Sequence, residues 1–355
     1  MSSTPDDGWA VATPTEVGLD ATRLSQLDTF LKQWPQHNVH AVVIARRGKL
    51  VFERYFRGRE RHWMEWSNSV RFSPTEKHDI RSISKSVTSL LIGIALSEDK
   101  FPALDSLVID YFPEYADLRT QQNGRITFRH LLTMSHGLRW DESRNWKSPG
   151  NNERQLLEAK DPCRYVLEQP MASPPGTSFN YSGGATSVLA AALAKAVGQR
   201  IDIYASEKLF EPLGITDFEW RTFTGSAEVA AFAGLRLRPR DLAKLGQLVA
   251  DEGRWNGRQI VPARWIFEST IPRVNAEGHG ALYYGYQWWL GRSLLNGREL
   301  TWIAGFGSGG QRLFIVPGID LVVVVNAFNY RSPIPIAILN RLVMPAVTDY
   351  PSLSD

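Results

Sequence analysis

A serine followed three residues later by a lysine, in Ser82-Ile83-Ser84-Lys85, is the pattern in this chain best suited to covalent chemistry. A serine hydroxyl is a poor nucleophile near neutral pH and needs a base within hydrogen-bond reach. On a helix, positions i and i+3 share a face, so Lys85 would stand beside Ser82. If Ser82 opens that helix, the positive end of the helix dipole also favours an oxyanion there. To act as a base the lysine must shed its proton, and burial is expected to depress its pKa. Ser82, Lys85, Ser86 and Ser89 form a polar stripe, opposed by Ile83, Val87, Leu90 and Ile94. The same spacing recurs at Ser97-Glu98-Asp99-Lys100. That copy falls at the helix end, where Lys100 reads as a partner for the C-terminal dipole and Ser97 as a surface residue.

Two later segments could complete a site. In Pro174-Pro175-Gly176-Thr177-Ser178-Phe179-Asn180-Tyr181-Ser182-Gly183, a Pro-Gly turn sets Tyr181 on a loop just before a helix. A tyrosine beside a lysine ammonium shifts toward phenolate and can relay a proton. In Ala304-Gly305-Phe306-Gly307-Ser308-Gly309-Gly310-Gln311, glycines between two strands let a strand edge approach a substrate and aim a backbone N–H at it. Gly305, Gly307 and Gly310 also match the dinucleotide pattern, but a strand follows where a phosphate-binding helix is required. Nucleotide binding is therefore rejected. No serine sits in a G-x-S-x-G elbow, which argues against the α/β-hydrolase fold.

The elements that must position these residues can be sketched from periodicity. Residues 19–31 have helical spacing, with Leu24, Leu27, Phe30 and Leu31 on one face. Residues 40–45 and 50–56 read as a hairpin, and 57–80 as loop. Helices are expected at 82–96, 128–133, 152–158, 162–169, 184–197 and 235–251, the last opened by Pro239. Strands follow at 286–290, 299–303, 311–316 and 321–328, then a helix at 334–347. Strands at both chain ends with helices between them suggest an α+β fold with one antiparallel sheet. Residues 1–80 and 225–355 would form the sheet domain and 81–224 a helical lobe, with the cleft where they meet. Of the adjacent Trp288 and Trp289, alternation allows only one to line that cleft.

Composition narrows the partners. The 355 residues carry a formal net charge of +3, and 22% are charged. The basic clusters at 57–61 and 236–240 are interrupted by acidic or apolar residues and read as solvated surface, so no nucleic-acid partner is expected. No apolar run suits a membrane span, and the first residues lack the pattern of a signal peptide, so a soluble protein is expected, cytoplasmic, or periplasmic if a leader was removed. Cys163 is the single cysteine. It forms no intramolecular disulfide, excludes cysteine-based zinc sites and reads as an inert thiol. The seven histidines show no metal-ligand spacing: His37 and His40 share a loop, and His130 and His136 flank a polar turn. No metal or cofactor is implied.

Taken together, Ser82-x-x-Lys85, the run Leu131-Leu132-Thr133-Met134-Ser135-His136-Gly137-Leu138-Arg139-Trp140-Asp141-Glu142, the run 235–243 and Tyr284-Gly285-Tyr286-Gln287-Trp288-Trp289 resemble one family. It is the serine β-lactamases and penicillin-binding proteins, especially the class C-like branch, over residues 15–345 or so. The resemblance implies a β-lactamase/transpeptidase-like sheet flanked by helices, and a Ser82 nucleophile with Lys85 and Tyr181 as its proton partners. It also implies that the backbone N–H groups of Ser82 and Ser308 form the oxyanion hole. The family's Tyr-x-Asn looks like Tyr181-Ser182-Gly183 here, without the amide. Its Lys-Thr-Gly looks like Gly305-Phe306-Gly307, without the cation. Losing those contacts in a buried site costs several kcal/mol, on the order of two charged hydrogen bonds. The pattern is therefore closer to the family's esterases and 6-aminohexanoate-dimer hydrolases. The expected partner is a small ester or amide, with the ester favoured because it asks less of leaving-group protonation. A β-lactamase or D-amino-acid peptidase is the alternative. A non-catalytic binding protein of this fold is the alternative of another class.

Overall fold

The most apolar runs near the two chain ends lie side by side in one sheet. In the computed structural model, which describes residues 8–62, 65–66 and 69–351, two strands come from the N-terminal side. They are β1 (Val39–Arg46) and β2 (Lys49–Tyr55). Six follow late in the chain: β3 (Val274–Asn275), β4 (Tyr283–Tyr284), β5 (Trp289–Leu295), β6 (Arg298–Gly307), β7 (Gln311–Val316) and β8 (Leu321–Ala327). Their order across the sheet is β3-β4-β5-β6-β7-β8-β1-β2, and all pairings are antiparallel. β1 and β8 meet in register, Val43 opposite Val324, and every residue of both is buried. Such continuous apolar strands need cover on both faces. The hairpin closes on Arg47 and Gly48, both at positive φ as the tightest two-residue turn demands.

Four helices matter for the site: α1 (Ile83–Ser97), α2 (Gly183–Val197), α3 (Pro239–Ala250) and α4 (Ala263–Ser269). α3 covers β7, β8 and β1, while α1 packs against α2, α4 and β6. This places α1 inside the protein, and every residue from Ile83 to Ala95 is buried. The expected polar and apolar stripes do not divide water from core. Instead the buried hydroxyls find local acceptors: Ser84 on the Arg81 carbonyl at 2.6 Å, and Ser86 on the Gln287 carbonyl at 2.8 Å.

Several boundaries differ from expectation for identifiable reasons. Residues 19–31 form two short helices, Ala21–Ser25 and Leu27–Lys32, with Gln26 (ψ 0°) at the break. Residues 57–80 contain short paired segments, including Arg57–Gly58 with Val70–Arg71. The expected helix over 235–251 begins only at Pro239, because Leu235–Leu237 pairs as a strand with His78–Asp79. The strand expected at 286–290 is interrupted at Gln287, whose φ of 67° lies in the left-handed region. The last helix is irregular: Ile334–Ala337 is α, Ile338–Val343 widens and Met344–Ala346 tightens. Prolines 335 and 345 deny it a continuous ladder. Among the described residues, no helix is long and apolar enough to cross a membrane.

Candidate active site

Ser82 stands at the first bend of α1, one residue ahead of the helix proper. It is brought there by Arg81, which takes a positive φ of 54°. Lys85, one turn on, is 1% exposed. Its Nζ donates to Ser82 Oγ at 2.9 Å and to the Phe232 carbonyl at 3.1 Å. The same nitrogen lies 4.8 Å from the centre of the Tyr181 ring, and Tyr181 is hydrogen-bonded to both Ser82 and Lys85. Ser82, its neighbour Lys85 and the sequence-distant Tyr181 are thus one hydrogen-bonded group. The second Ser-x-x-Lys copy makes no such pair: Ser97 Oγ bonds the Ile94 carbonyl and Lys100 bonds Glu98. Cys163 is buried, and burial pushes its thiol pKa up.

The loop that presents Tyr181 is fixed on both sides. Asn180 donates its backbone N–H to the Met134 carbonyl at 2.7 Å, and its side chain reaches the Leu138 and Trp140 carbonyls. Ser182 caps α2 by accepting from Ala185 N at 3.1 Å. The Tyr181 ring meets Trp289 at 5.3 Å, which in turn stacks on Phe306 at 5.5 Å. Trp289, and not the fully buried Trp288, lines the cleft.

Gly183 occupies the position where the resembled family carries its Asn. A Cβ there would lie 2.8 Å from the Phe232 ring and 3.4 Å from Glu142 Oε2. The carboxylate of Glu142 fills this corner, accepting from Trp140 Nε1 and Gly183 N, each at 2.8 Å. The glycines of β6 have a related role. A Cβ on Gly305 would meet Ile83 at 2.8 Å, and one on Gly307 would meet the Ile80 carbonyl at 2.4 Å. Expected to let the strand edge approach a substrate, these glycines also admit the start of α1, and Gly307 lines the cleft. Ser308, the next residue, shares with Ser82 and Tyr181 a cleft of about 500 Å³.

Three residues of this cleft escape a reading of the sequence. Arg312 on β7 lies with its guanidinium 4.4 Å from the Phe306 ring, and its Nη1 donates to the Gly307 and Gln311 carbonyls. Burial lowers its pKa to about 10, so it remains a cation at neutral pH. It adds a positive charge to the strand edge beside Phe306 and Gly307. Its only sequence signal is strand alternation beside the glycine segment. Glu142 and Glu153 also line the cleft. Burial, then the neighbouring charge of Glu142, raises the Glu153 pKa to about 7.

These carboxylates reverse the expectation for Lys85. Burial alone pushes its pKa down, but the Tyr181 oxygen, Glu142 and Glu153 outweigh it, and the net shift is upward. Tyr181 is also shifted upward: burial raises its pKa more than Lys85 lowers it. At neutral pH the resting couple is an ammonium beside a phenol.

The beta-lactamase family profile matches residues 28–343, so the chain belongs to the beta-lactamase family, and it is a hydrolase of that serine β-lactamase-like superfamily. The 6-aminohexanoate-dimer hydrolase of Paenarthrobacter ureafaciens is 25% identical over 336 residues, 88% of this chain and 79% of that protein. A family VIII carboxylesterase structure superposes with a TM-score of 0.70 at 17% identity, covering 91% of this chain and 94% of its own. The octameric penicillin-binding protein homologue from Pyrococcus abyssi gives 0.68 at 19% identity, covering 90% and 77%. These structures share the fold, a large antiparallel sheet with flanking helices.

Two expectations follow. Gly307→Ala forces its Cβ against the Ile80 carbonyl, and overpacking of this kind costs about 1–3 kcal/mol. Urea unfolding should show that loss. If Ser82 accepts a proton-coupled reaction through the Lys85–Tyr181 couple, one proton must leave the couple first. Because both groups are shifted upward, kcat/KM should rise with pH above neutrality along a limb of single-proton slope. A profile already flat from pH 6 upward (roughly the unperturbed histidine range) would contradict that assignment.

Proposed function

We propose that the protein hydrolyses small carboxylic esters, and more slowly small amides, through an acyl-enzyme on Ser82. The observation that carries this reading is the hydrogen-bonded group of Ser82, Lys85 and Tyr181 opening onto a cleft. In the active form the couple has lost one proton, and the Lys85 ammonium stabilises the Tyr181 phenolate. Tyr181 takes the Ser82 proton as Oγ attacks the substrate carbonyl. The backbone N–H groups of Ser82 and Ser308 receive the oxyanion, each such donor being worth about 2.7–4 kcal/mol in related chemistry. Collapse breaks the ester or amide bond, and Tyr181 returns its proton to the departing alcohol or amine. Water then attacks the acyl-enzyme with the same couple as base, releasing the acid and restoring Ser82.

Ester and amide are distinguished by what the leaving group needs. An amine must be protonated as it departs, whereas an alkoxide of a good ester leaves more readily. The similarity to an amide-dimer hydrolase supports the amide reading, and the fold shared with a carboxylesterase supports the ester reading. Gly183 and Gly305 remove the amide and lysine contacts of the resembled β-lactamases, which argues against efficient β-lactam turnover. Arg312 supplies a cation suited to a carboxylate on the substrate.

p-Nitrophenyl butyrate, a linear amide dimer and nitrocefin should be turned over in that order of kcat/KM. Ser82→Ala should lower kcat by about 10³-fold or more, and Tyr181→Phe by roughly 10²–10⁴-fold. Equal rates in wild type and Ser82→Ala would refute the mechanism. For Arg312→Met, KM should rise roughly 10–100-fold for an ester bearing a carboxylate and change little for the neutral butyrate. Equal effects on both esters would remove Arg312 from substrate binding.

A further inference from the structure

A second cluster of reactive side chains lies away from the cleft. The sequence sets His40 in a loop with His37, but the structure places it on a strand and brings it to two residues distant in sequence. His40 is on β1, His78 is on the short strand His78–Asp79, and Glu60 follows the segment Arg57–Gly58. A sequence separation of 38 conceals their meeting. They are 0% exposed, and Glu60 is 7% exposed.

The distances within this cluster suit a shared ion better than mutual hydrogen bonds. His40 Nδ1 and His78 Nδ1 are 3.4 Å apart, at the far end of any hydrogen bond. His78 Nδ1 and Glu60 Oε1 are 3.7 Å apart, too far for one. All three donor atoms lie within 4.8 Å of one another. Ligands held about 2.0–2.1 Å from a tetrahedral ion stand about 3.3–3.4 Å apart, close to the spacing of the two nitrogens.

The surroundings also match what a metal ligand needs. His40 Nε2 lies 3.0 Å from the Arg59 carbonyl. That bond places the proton on Nε2 and leaves the Nδ1 lone pair facing His78, as ligating histidines are usually oriented. Burial keeps both imidazoles neutral, the form that ligates: the His40 pKa falls to about 4, and that of His78 falls well below its usual value. Arg236 lies 4.0 Å from the other Glu60 oxygen, and its own closer partner is Glu219 at 2.9 Å.

We propose that His40, Glu60 and His78 form a buried site for a zinc-class divalent cation. Two imidazoles and one carboxylate are a donor set suited to zinc. None of the three lines the cleft that holds Ser82, so the ion takes no part in hydrolysis. It braces the chain instead. The site ties β1 to a strand four residues ahead of Ser82, and Asp79 beyond it accepts from the Arg81 N–H at 3.1 Å.

The test uses the untagged full-length chain, incubated with Zn²⁺, dialysed and analysed by inductively coupled plasma mass spectrometry. About one zinc per chain is expected, with a higher Tm in excess Zn²⁺ than in EDTA. Co²⁺ should give the visible absorption of a tetrahedral nitrogen–oxygen site. Glu60→Gln and His78→Gln should each lose the retained zinc. Equal retention in both variants would overturn the proposal. If neither variant folds, the wild type decides: no retained zinc, a Tm unmoved by Zn²⁺, or the weak bands of octahedral cobalt would each reject the site. A cluster filled only by protons gives all three of those results.

Discussion

The structure around the cleft is organised by one buried positive charge. Lys85 is enclosed by the Phe232 segment and by the aromatic wall of Tyr181, and an ammonium taken out of water costs several kcal/mol unless it is compensated. Its compensation comes from Ser82 Oγ, the Phe232 carbonyl and Tyr181, with the charges of Glu142 and Glu153 further out. Removing any one of these leaves the charge poorly satisfied. The requirement therefore holds the hydroxyl, the phenol and two distant carboxylates at fixed positions around α1.

Close packing delivers these groups to the same place. β6 approaches the start of α1 only because Gly305 and Gly307 carry no side chain. Gly183 leaves room for Phe232 and for the Glu142 carboxylate. These glycines are thus demanded by contacts inside this chain. Arg312 then adds charge to the sheet edge from a different strand, held over Phe306.

What could be read from sequence was what repeats locally. The i, i+3 spacing placed Lys85 against Ser82, and the apolar runs at 40–45 and 321–328 placed strands from both chain ends in one sheet. The Pro-Gly turn placed Tyr181 ahead of α2. What failed depended on partners distant in sequence. The raised pKa of Lys85 depends on Tyr181 and then on residues 142 and 153, which no pattern around residue 85 could reveal. Leu235–Leu237 was absorbed into a helix because its partner strand, His78–Asp79, lies in a stretch without a period. The His40–Glu60–His78 cluster was hidden for the same reason: three segments converge without any shared spacing.

The central claim is that Ser82 carries the acyl group. Rapid-quench intact mass spectrometry during turnover of p-nitrophenyl butyrate, followed by peptide mapping, reads this directly. The account predicts a butyryl increment on the peptide containing Ser82 in wild type, accumulating in Tyr181→Phe if deacylation slows more than acylation. Turnover with no covalent increment in either protein, or an increment on a different serine, would contradict it.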